Sequence, residues 1–466
     1  MDQLFIAPTF MAAATMAAAI DSGLYRETGQ RVLLVVNNAK IPEIGRSLTE
    51  QQGFDSLASR FDRVLSLNEL IFPYHPRAWN PPASKLDAWR EKILEAAGIE
   101  GEFGITLQSL PVRPSTTLTR LFKGAPVDVV SDGLMSYGPT RKAIRPSVAE
   151  SLRRLLYLDL AGGLRPVLLS EHSIENVVVP AEAFRAVVHE YGKSAFESDD
   201  VGAMADQPVE AIMLGQYLAA LGLLSEDEEE DLHHELLRAA VALGFTSIAF
   251  KPHPSAPPAF THSLVDLGRS LGVELKVLDE PVPVEILYDR LKPTAAIGCF
   301  STGLSTAVET YGMTGYAVDV DKVLSRLPRF KDSNRIPLAI TDVRLNRVEW
   351  DETGGFSVRQ APEVDVQLLV DEVARAMQPA HFEGQSQPVG RREELLAQAP
   401  WAVKYFVDPE GDSADAGAVV VAPSAAASYR ARVERKARRV ASRMIRKNRR
   451  LRKIAAVGKA IRFQPH

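Results

Sequence analysis

The 466-residue chain lacks the features that mark several common classes of protein. Its single cysteine, Cys299, excludes an intrachain disulfide and a thiol-rich metal site, and this usage fits a reducing cytoplasm. There is no phosphate-binding loop of the G-x-x-x-x-G-K type, and no G-x-G-x-x-G motif follows the first predicted strand. The histidines are scattered without the carboxylate or cysteine spacing of a metal site. We therefore disfavour an ATPase or a dehydrogenase and expect neither a metal nor a cofactor.

Long apolar runs are also missing. Residues 1–20 are apolar and rich in alanine, but the first charge is Asp2 and the first cation is Arg26, so the basic region of a secretory signal is absent. Residues 4–7 and 10–22 instead predict a first strand and a first helix. No run of about eighteen apolar residues occurs elsewhere, so we expect no membrane-spanning helix.

The length exceeds one ordinary core and suits two α/β domains with an appendage. Apolar residues make up 46% and charged residues 24%, which is typical of a globular protein that buries sizeable cores. The net charge is −5, yet residues 424–466 alone carry +14, so the remainder carries −19. A basic segment on an acidic body indicates an anionic surface as a partner.

Strand and helix patterns alternate through most of the chain, as they do in a parallel sheet covered by helices. In the first half, strands are predicted at residues 4–7, 32–36, 64–66, 105–107, 127–130 and 167–169. An apolar face predicts a helix at 84–97, and a capping-box pattern from Ser147 to Glu150 predicts another at 148–156. In the second half, strands are predicted at 211–214, 246–250, 274–277, 294–297 and 316–318. The helices predicted there lie at 226–242, 260–271, 284–292, 304–311, 321–327 and 364–377.

A polar stretch at residues 193–207 separates the two halves. The sequence therefore predicts an N-terminal domain at 1–195, a C-terminal domain at 207–378, a mostly loose linker at 379–423 and a basic amphipathic helical tail at 424–466. Two such domains joined by a linker leave a cleft between them, and small-molecule sites tend to lie in such clefts.

Two short polar segments follow strands of the second half. Lys-Pro-His-Pro at 251–254 follows one apolar run, and Ser-Thr-Gly at 301–303 follows another. The carboxyl ends of parallel strands share one rim of a sheet, where ligands bind. An imidazole at His253 can bind a phosphate and donate a proton to a leaving group, although a His-Pro turn also occurs for structural reasons. The hydroxyls around Ser301 suit either an anion or an ordinary helix N-cap.

Two acids occupy positions where a functional carboxylate could lie. Asp132 follows the strand at 127–130, where a general base would be placed, but Asp-Gly is also a frequent turn. Glu285 starts the helix at 284–292, where it can accept ribose hydroxyls or simply favour the helix dipole. Taken singly, each acid fits a structural role better.

In combination, these segments resemble bacterial sialyltransferases of the GT-B architecture, and above all the alpha-2,8-polysialyltransferase family. Such enzymes carry an acidic motif that ends in glycine, a His-Pro motif and a Ser-Ser/Thr motif. The chain has Asp132-Gly133, then His253-Pro254, and then Ser301-Thr302, in that order. The resemblance covers residues 1–340 as architecture. It departs from the family at Ser131, which replaces the first acid of the acidic motif.

The resemblance implies two Rossmann-like domains that face an interdomain cleft, the first for the acceptor and the second for the donor. It implies that Asp132 is the general base and that His253 contacts the phosphate of the CMP leaving group and acts as its general acid. Glu285 would bind the cytidine ribose. The implied donor-binding residues are Lys251, Pro254, Glu285, Ser301, Thr302 and Gly303.

The activity that the resemblance implies is an inverting, metal-independent transfer of sialic acid, or of a related nonulosonic acid, from a CMP-sugar to a glycan hydroxyl. Two alternatives stay open. One is a GT-B enzyme that uses another nucleotide sugar, and the other is a non-catalytic protein that binds a nucleotide or a glycan.

The basic tail interleaves Arg and Lys with apolar residues at spacings of three, four and seven between residues 429 and 463. This pattern indicates an amphipathic helix on a membrane surface, while a solvated tail or a nucleic-acid contact would carry similar charges. We expect a cytoplasmic protein on the inner face of the membrane, with a glycan acceptor that can be lipid-linked. No specific nucleic acid is expected.

Overall fold

The computed structural model describes residues 1–39, 46–196, 208–253, 256, 258–279, 282–328, 330–351, 355–382 and 390–406. These residues form one compact unit that contains two α/β domains. Several predictions fall outside the described residues: Pro254, the stretch 197–207 between the predicted domains, the linker residues 383–389 and 407–423, and the tail at 424–466.

The first domain contains a seven-stranded sheet with the order β3-β2-β1-β4-β5-β6-β7, in which every neighbouring pair is parallel. Its strands are β1 Asp2–Ala7, β2 Arg31–Val35, β3 Arg63–Ser66, β4 Phe103–Gln108, β5 Val127–Ser131, β6 Leu152–Leu158 and β7 Glu175–Val179. Its helices are α1 Phe10–Asp21, α2 Phe54–Ala58, α3 Leu67–Leu70, α4 Leu86–Ala97, α5 Ser115–Leu121, α6 Pro146–Ala149 and α7 Ala181–Ala195. Short 3-10 turns lie at Leu48–Glu50, Ala83–Lys85, Leu134–Tyr137 and Ser170–His172.

The second domain repeats this plan with the order β10-β9-β8-β11-β12-β13-β14, and only β13 and β14 pair antiparallel. Its strands are β8 Ala211–Leu214, β9 Ser247–Lys251, β10 Glu274–Val277, β11 Ala295–Gly298, β12 Thr314–Val318, β13 Asn346–Trp350 and β14 Phe356–Arg359. The helices up to residue 324 are α8 Leu218–Leu221, α9 Glu226–Ala242, α10 Pro258–Leu271, α11 Val284–Leu291, α12 Thr302–Glu309 and α13 Val320–Leu324. The later ones are α14 Arg335–Arg344, α15 Val366–Met377 and α16 Arg391–Gln398, with 3-10 helices at Pro379–Phe382 and Pro400–Tyr405.

Both faces of the first sheet are buried, which explains why its central strands are continuous apolar runs. Phe5 and Leu33 lie in the core beneath α1 and α7, while Leu4 and Val32 lie in the core beneath α4 and α5. The side chains of a strand alternate between its faces, so one apolar strand supplies both cores. The carboxyl ends of β1, β4 and β5 therefore meet on one rim, and this rim carries the site.

The two domains pack directly on each other. Helix α7 of the first domain lies so close to α11 of the second that a Cβ on Gly192 would sit 2.9 Å from Ile286 Cγ2. In the same interface, His189 Nδ1 lies 2.7 Å from Asp289 Oδ2. Arg141 of the first domain also donates hydrogen bonds to backbone carbonyls of the second, those of Phe330, Lys331 and Met377. These contacts hold the facing rims of the two sheets together.

Three predictions about elements are wrong. Residues 167–169 do not form a strand, and residues 152–158 form β6 instead of continuing a helix from 148. The helix there is the single turn α6, because the following Leu155 and Leu156 are buried on opposite faces of the sheet. The described parts of the linker predicted as mostly loose at 379–423 form α16 and two 3-10 helices, since Leu395 and Tyr405 are fully buried.

Candidate active site

Asp132 follows β5 at the rim where the first sheet faces the second domain. Its carboxylate is partly buried and accepts two hydrogen bonds from the Gln108 amide, at 2.8 Å to Oδ1 and 2.9 Å to Oδ2. The Thr9 hydroxyl lies 3.4 Å from Oδ2. Burial raises the pKa of Asp132, and the hydrogen bonds from Gln108 and Thr9 oppose that rise. The three side chains come from the ends of adjacent strands and fix the carboxylate in one orientation.

A cavity of about 550 Å³ opens beside Asp132. Most of its lining comes from the loops that follow β4 and β5, but Thr302 and Ser333 of the second domain line it as well. A Cβ on Gly133 would lie 2.9 Å from Thr302 Oγ1, so the glycine after Asp132 permits a close approach of the two domains. The Asp132 cavity is therefore an interdomain site.

The N-terminus of α12 faces this cavity. Ser301 caps the helix, since its Oγ accepts a hydrogen bond of 3.0 Å from the Leu304 amide. Its hydroxyl proton stays able to donate to a ligand. Gly303 is held from behind by the Tyr288 hydroxyl, which donates to its carbonyl at 3.0 Å, and a Cβ there would lie 3.0 Å from Val284 Cγ1. A small residue is thus needed for α12 to pack on α11.

Glu285 is the second acid of the site. It lies in the first turn of α11, and only 4% of its surface is exposed. Burial raises the pKa of Glu285 to about 7, and the negative charge of Asp132 adds to the rise. The preceding residue, Val284, packs on Gly303, which follows Thr302 of the cavity lining, so the start of α11 lies near the Asp132 cavity.

His253 lies at the carboxyl end of β9, on the same rim of the second sheet as Ser301. Its exposed ring is 6.4 Å from the Tyr217 ring, centroid to centroid, and partial shielding from water lowers its pKa. Gln216, next to Tyr217, exchanges hydrogen bonds with the backbone of Phe300. The loop after β8 therefore bridges the segment of His253, at the end of β9, and the segment of Ser301, after β11. These two strands are two strand spacings apart, or roughly 10 Å.

The predicted residues thus divide into two groups. Asp132 and Thr302 line one cavity, and Glu285 and Ser301 lie beside it. His253 lies on the same rim of the second sheet as Ser301, but it is not among the residues that line the Asp132 cavity. Lys251 is buried, and its amine donates to the Leu278 carbonyl at 3.2 Å.

Sequence reasoning missed Thr9, Gln108 and Arg141. Thr9 and Gln108 orient the Asp132 carboxylate, and Arg141 lines its cavity while it bridges the domains. Thr9 and Gln108 both lie at strand ends that reach the same rim as Asp132, so strand order would have found them. Arg141 could not be found in this way, because its partners in the second domain are distant in sequence and the local sequence gives no sign of them.

Two structural features are absent from the described residues. No group of three or more His, Cys, Asp or Glu side chains within them is arranged to hold a metal ion. No helix within them has the length and hydropathy to cross a membrane.

A family model described as alpha-2,8-polysialyltransferase matches residues 3–320, which is well over half of the chain. No protein of curated function is significantly similar in sequence. Among solved structures, the chain is similar to a sialyltransferase from Photobacterium damselae, residues 113–497, with 10% identity and a TM-score of 0.39 over 73% of this chain and 96% of that chain.

It is also similar to an alpha/beta-galactoside alpha-2,3-sialyltransferase from Photobacterium phosphoreum, with 11% identity and a TM-score of 0.36 over 68% and 90% of the two chains. A UDP-GlcNAc 2-epimerase from Neisseria meningitidis gives 12% identity and a TM-score of 0.44 over 88% and 96%. With its two doubly wound sheets in the GT-B arrangement, the chain belongs to the alpha-2,8-polysialyltransferase family and is a glycosyltransferase of the sialyltransferase type.

Proposed function

We propose that the chain transfers a sialic acid, or a related nonulosonic acid, from a CMP-sugar to a glycan hydroxyl, with inversion and without a metal. The observation that carries the proposal is the fixed carboxylate of Asp132, which shares an interdomain cavity with Thr302 at the N-terminus of α12. A base thus faces a phosphate-binding helix end, as a displacement at an anomeric carbon requires.

On the acceptor side, Asp132 removes the proton of the attacking hydroxyl. The raised pKa of its carboxyl makes it a stronger base than an exposed aspartate once it is ionised. The Gln108 amide donates to both oxygens and keeps one orientation. The acceptor oxygen then bonds to the anomeric carbon on the face opposite the phosphate, which is why the configuration inverts.

On the donor side, the bond between the anomeric carbon and the phosphate oxygen breaks and CMP leaves. Ser301, Thr302 and the amides of α12 donate to the phosphate, and charge that builds there strengthens these bonds as the transition state forms. Because these donors are fixed, the mechanism does not require a metal. Glu285 binds the ribose hydroxyls, and Lys251 and Gly303 shape the pocket around the nucleotide.

His253 binds the leaving phosphate and supplies its proton. Shielding lowers the pKa of the free imidazole, but a phosphate anion beside it favours the charged form and raises that pKa again. His253 therefore becomes a competent acid once the donor is bound.

A donor screen tests the proposal. We expect CMP release from CMP-sialic acid with a glycan acceptor and none from UDP-sugars, and we expect His253→Ala to slow that release about a hundredfold or more. His262→Ala, which removes an exposed histidine of the same domain, is the matched control and should keep the wild-type rate. Turnover of a UDP-sugar without turnover of any CMP-sugar would exclude the proposed donor.

For the tail at 424–466, we propose an anionic membrane surface on the cytoplasmic side as its partner, which would bring the site to a lipid-linked acceptor. Its charge of +14 supports this, because each basic residue near an anionic leaflet contributes about 1 kcal/mol. Sedimentation with vesicles that contain phosphatidylglycerol tests it. The full chain should co-sediment and a chain ending at residue 423 should not, whereas equal binding of both would exclude the tail as the anchor.

A further inference from the structure

A second cavity, of about 700 Å³, lies on the first domain next to the Asp132 cavity. Five cations and no acids are among the described residues that line it: Arg77, Arg113, Arg120, Lys142 and Arg145. Pro111 lines both cavities, and Lys142 directly follows Arg141, which lines the Asp132 cavity. We refer to the second one as the basic cavity.

The charges of the basic cavity are not neutralised within the part of the chain that the structure describes. None of the five cations has a carboxylate within ion-pair distance there. Two are oriented by neutral acceptors, since Arg120 Nη1 donates to Asn80 Oδ1 at 2.5 Å and Arg113 Nη1 to the Ala78 carbonyl at 3.4 Å. Such contacts fix a guanidinium without cancelling its charge. Residues 1–423 carry a net charge of −19, so this cluster forms a positively charged region on an otherwise acidic part of the chain.

The composition of the cluster favours phosphate over other anions. Four of its five cations are arginines, whose planar forks match the oxygens of a phosphate. They come from three separate segments that surround one cavity, at residue 77, at 113–120 and at 142–145. Several cations around one cavity suit a compact anion of high charge density, such as a phosphate. A polysaccharide with one carboxylate on each sugar would instead be matched by cations spaced along a groove.

We propose that the basic cavity binds a phosphate group of the acceptor, so that the acceptor is a glycan with a phosphodiester or diphosphate near the sugar that is modified. Because the two cavities meet at Pro111, a phosphate in one leaves a sugar hydroxyl next to Asp132 in the other. This identification rests on the proposed function for the role of Asp132, but the phosphate site itself is defined by its own residues.

Calorimetric titration of the full chain with inorganic pyrophosphate tests the site, with CMP present at saturation to occupy the proposed donor pocket. Citrate serves as the carboxylate probe of similar charge. We expect saturable pyrophosphate binding, about tenfold or more tighter than citrate binding. The double variant Arg113→Gln/Arg145→Gln should weaken pyrophosphate binding about tenfold, while Arg113→Lys/Arg145→Lys should lose less because it keeps the charge.

Arg26→Gln/Lys123→Gln is the matched control, because it removes two exposed cations from the amino-end rim of the same sheet. It should leave the pyrophosphate affinity within about twofold. The assignment is overturned if the wild type does not bind pyrophosphate, if the cavity and control variants behave alike, or if citrate binds equally well. Lys142→Gln provides a second, single-site test should the double variant fold poorly. CMP affinity, measured on the same variants, reports separately on the proposed donor site.

Discussion

The substitution Glu285→Gln should stabilise the protein at pH 8 and weaken its binding of CMP. Glu285 is almost fully buried in the first turn of α11, close to Asp132, and no cation pairs with it among the described residues. Its ionised form therefore lacks the compensation that a buried charge requires. Glutamine keeps the shape and a carbonyl oxygen but carries no charge.

The magnitude follows from the pKa of Glu285, which burial raises from 4.5 to about 7 in the folded protein. Below about pH 4.5 both states are protonated and the group contributes no difference. Between about pH 4.5 and 7 the unfolded chain has ionised while the folded protein still holds its proton, so stability falls by about 1.4 kcal/mol per pH unit. Above about pH 7 the loss levels off near 3 kcal/mol.

Urea unfolding at several pH values measures this effect. The stability difference between Glu285→Gln and the wild type should be small at pH 5 and should grow to about 3 kcal/mol at pH 8. Glu91→Gln, which neutralises an exposed carboxylate on α4, is the control and should shift stability by less than about 0.5 kcal/mol at every pH.

The binding arm of the experiment separates function from packing. If Glu285 accepts the ribose hydroxyls, calorimetric titration with CMP should show affinity falling about tenfold in Glu285→Gln, even though the protein is more stable. Unfolding curves that stay parallel from pH 5 to 8 would refute the burial argument. An unchanged CMP affinity would refute the ribose contact while leaving the stability argument intact.

Three further substitutions test other parts of the structure. Asp132→Asn should lower kcat about 10²- to 10⁴-fold in the donor assay and leave CMP affinity within about twofold, since it removes a base and not a donor contact. Asp128→Ala should cost about 3 kcal/mol of stability in urea, because a fully buried carboxylate that pairs with Arg153 at 2.8 Å is lost; less than about 1 kcal/mol would contradict this. Gly192→Ala should lower the urea midpoint, since the clash with Ile286 Cγ2 outweighs the helix propensity gained, and Ile286→Leu, which lacks that methyl, should reverse the loss.

Much of the fold could be predicted from local pattern, because each parallel strand is a short apolar run and each covering helix has one apolar face. The helix predicted at 226–242 has the same bounds in the structure, where Ser225 and Glu228 form a capping box that fixes its start. The same type of signal failed at Ser147, where β6 begins three residues after the single turn α6 ends. A cap pattern marks a start but says nothing about length, which tertiary packing decides.

The candidate site was harder to predict than the fold because its parts meet across domains. Sequence order placed Asp132 and Thr302 at strand ends, but their proximity depends on the packing of α7 on α11 and on Arg141, over long sequence separations. The prediction of a loose linker at 379–423 is wrong at residues 390–406 for a related reason. Its few apolar residues, such as Leu395 and Tyr405, are spread among charges and find their partners in distant parts of the core.

Glu285 differs from two other buried acids of the chain in how little its charge is compensated. Asp128 is fully buried, but Arg153, Arg154 and Tyr25 all donate to it. Glu229 is equally buried, and its two oxygens accept the backbone amides of Leu218 and Ala219 at 2.7 Å each. Glu285 has no side-chain hydrogen bond or ion pair with another of the described residues, and the negative charge of Asp132 further disfavours its ionised form. Above about pH 7, burying the Glu285 carboxylate lowers the folding stability by about 3 kcal/mol. Its carboxyl oxygens also have unused capacity to accept hydrogen bonds. Both features are explained if a bound ligand completes those hydrogen bonds.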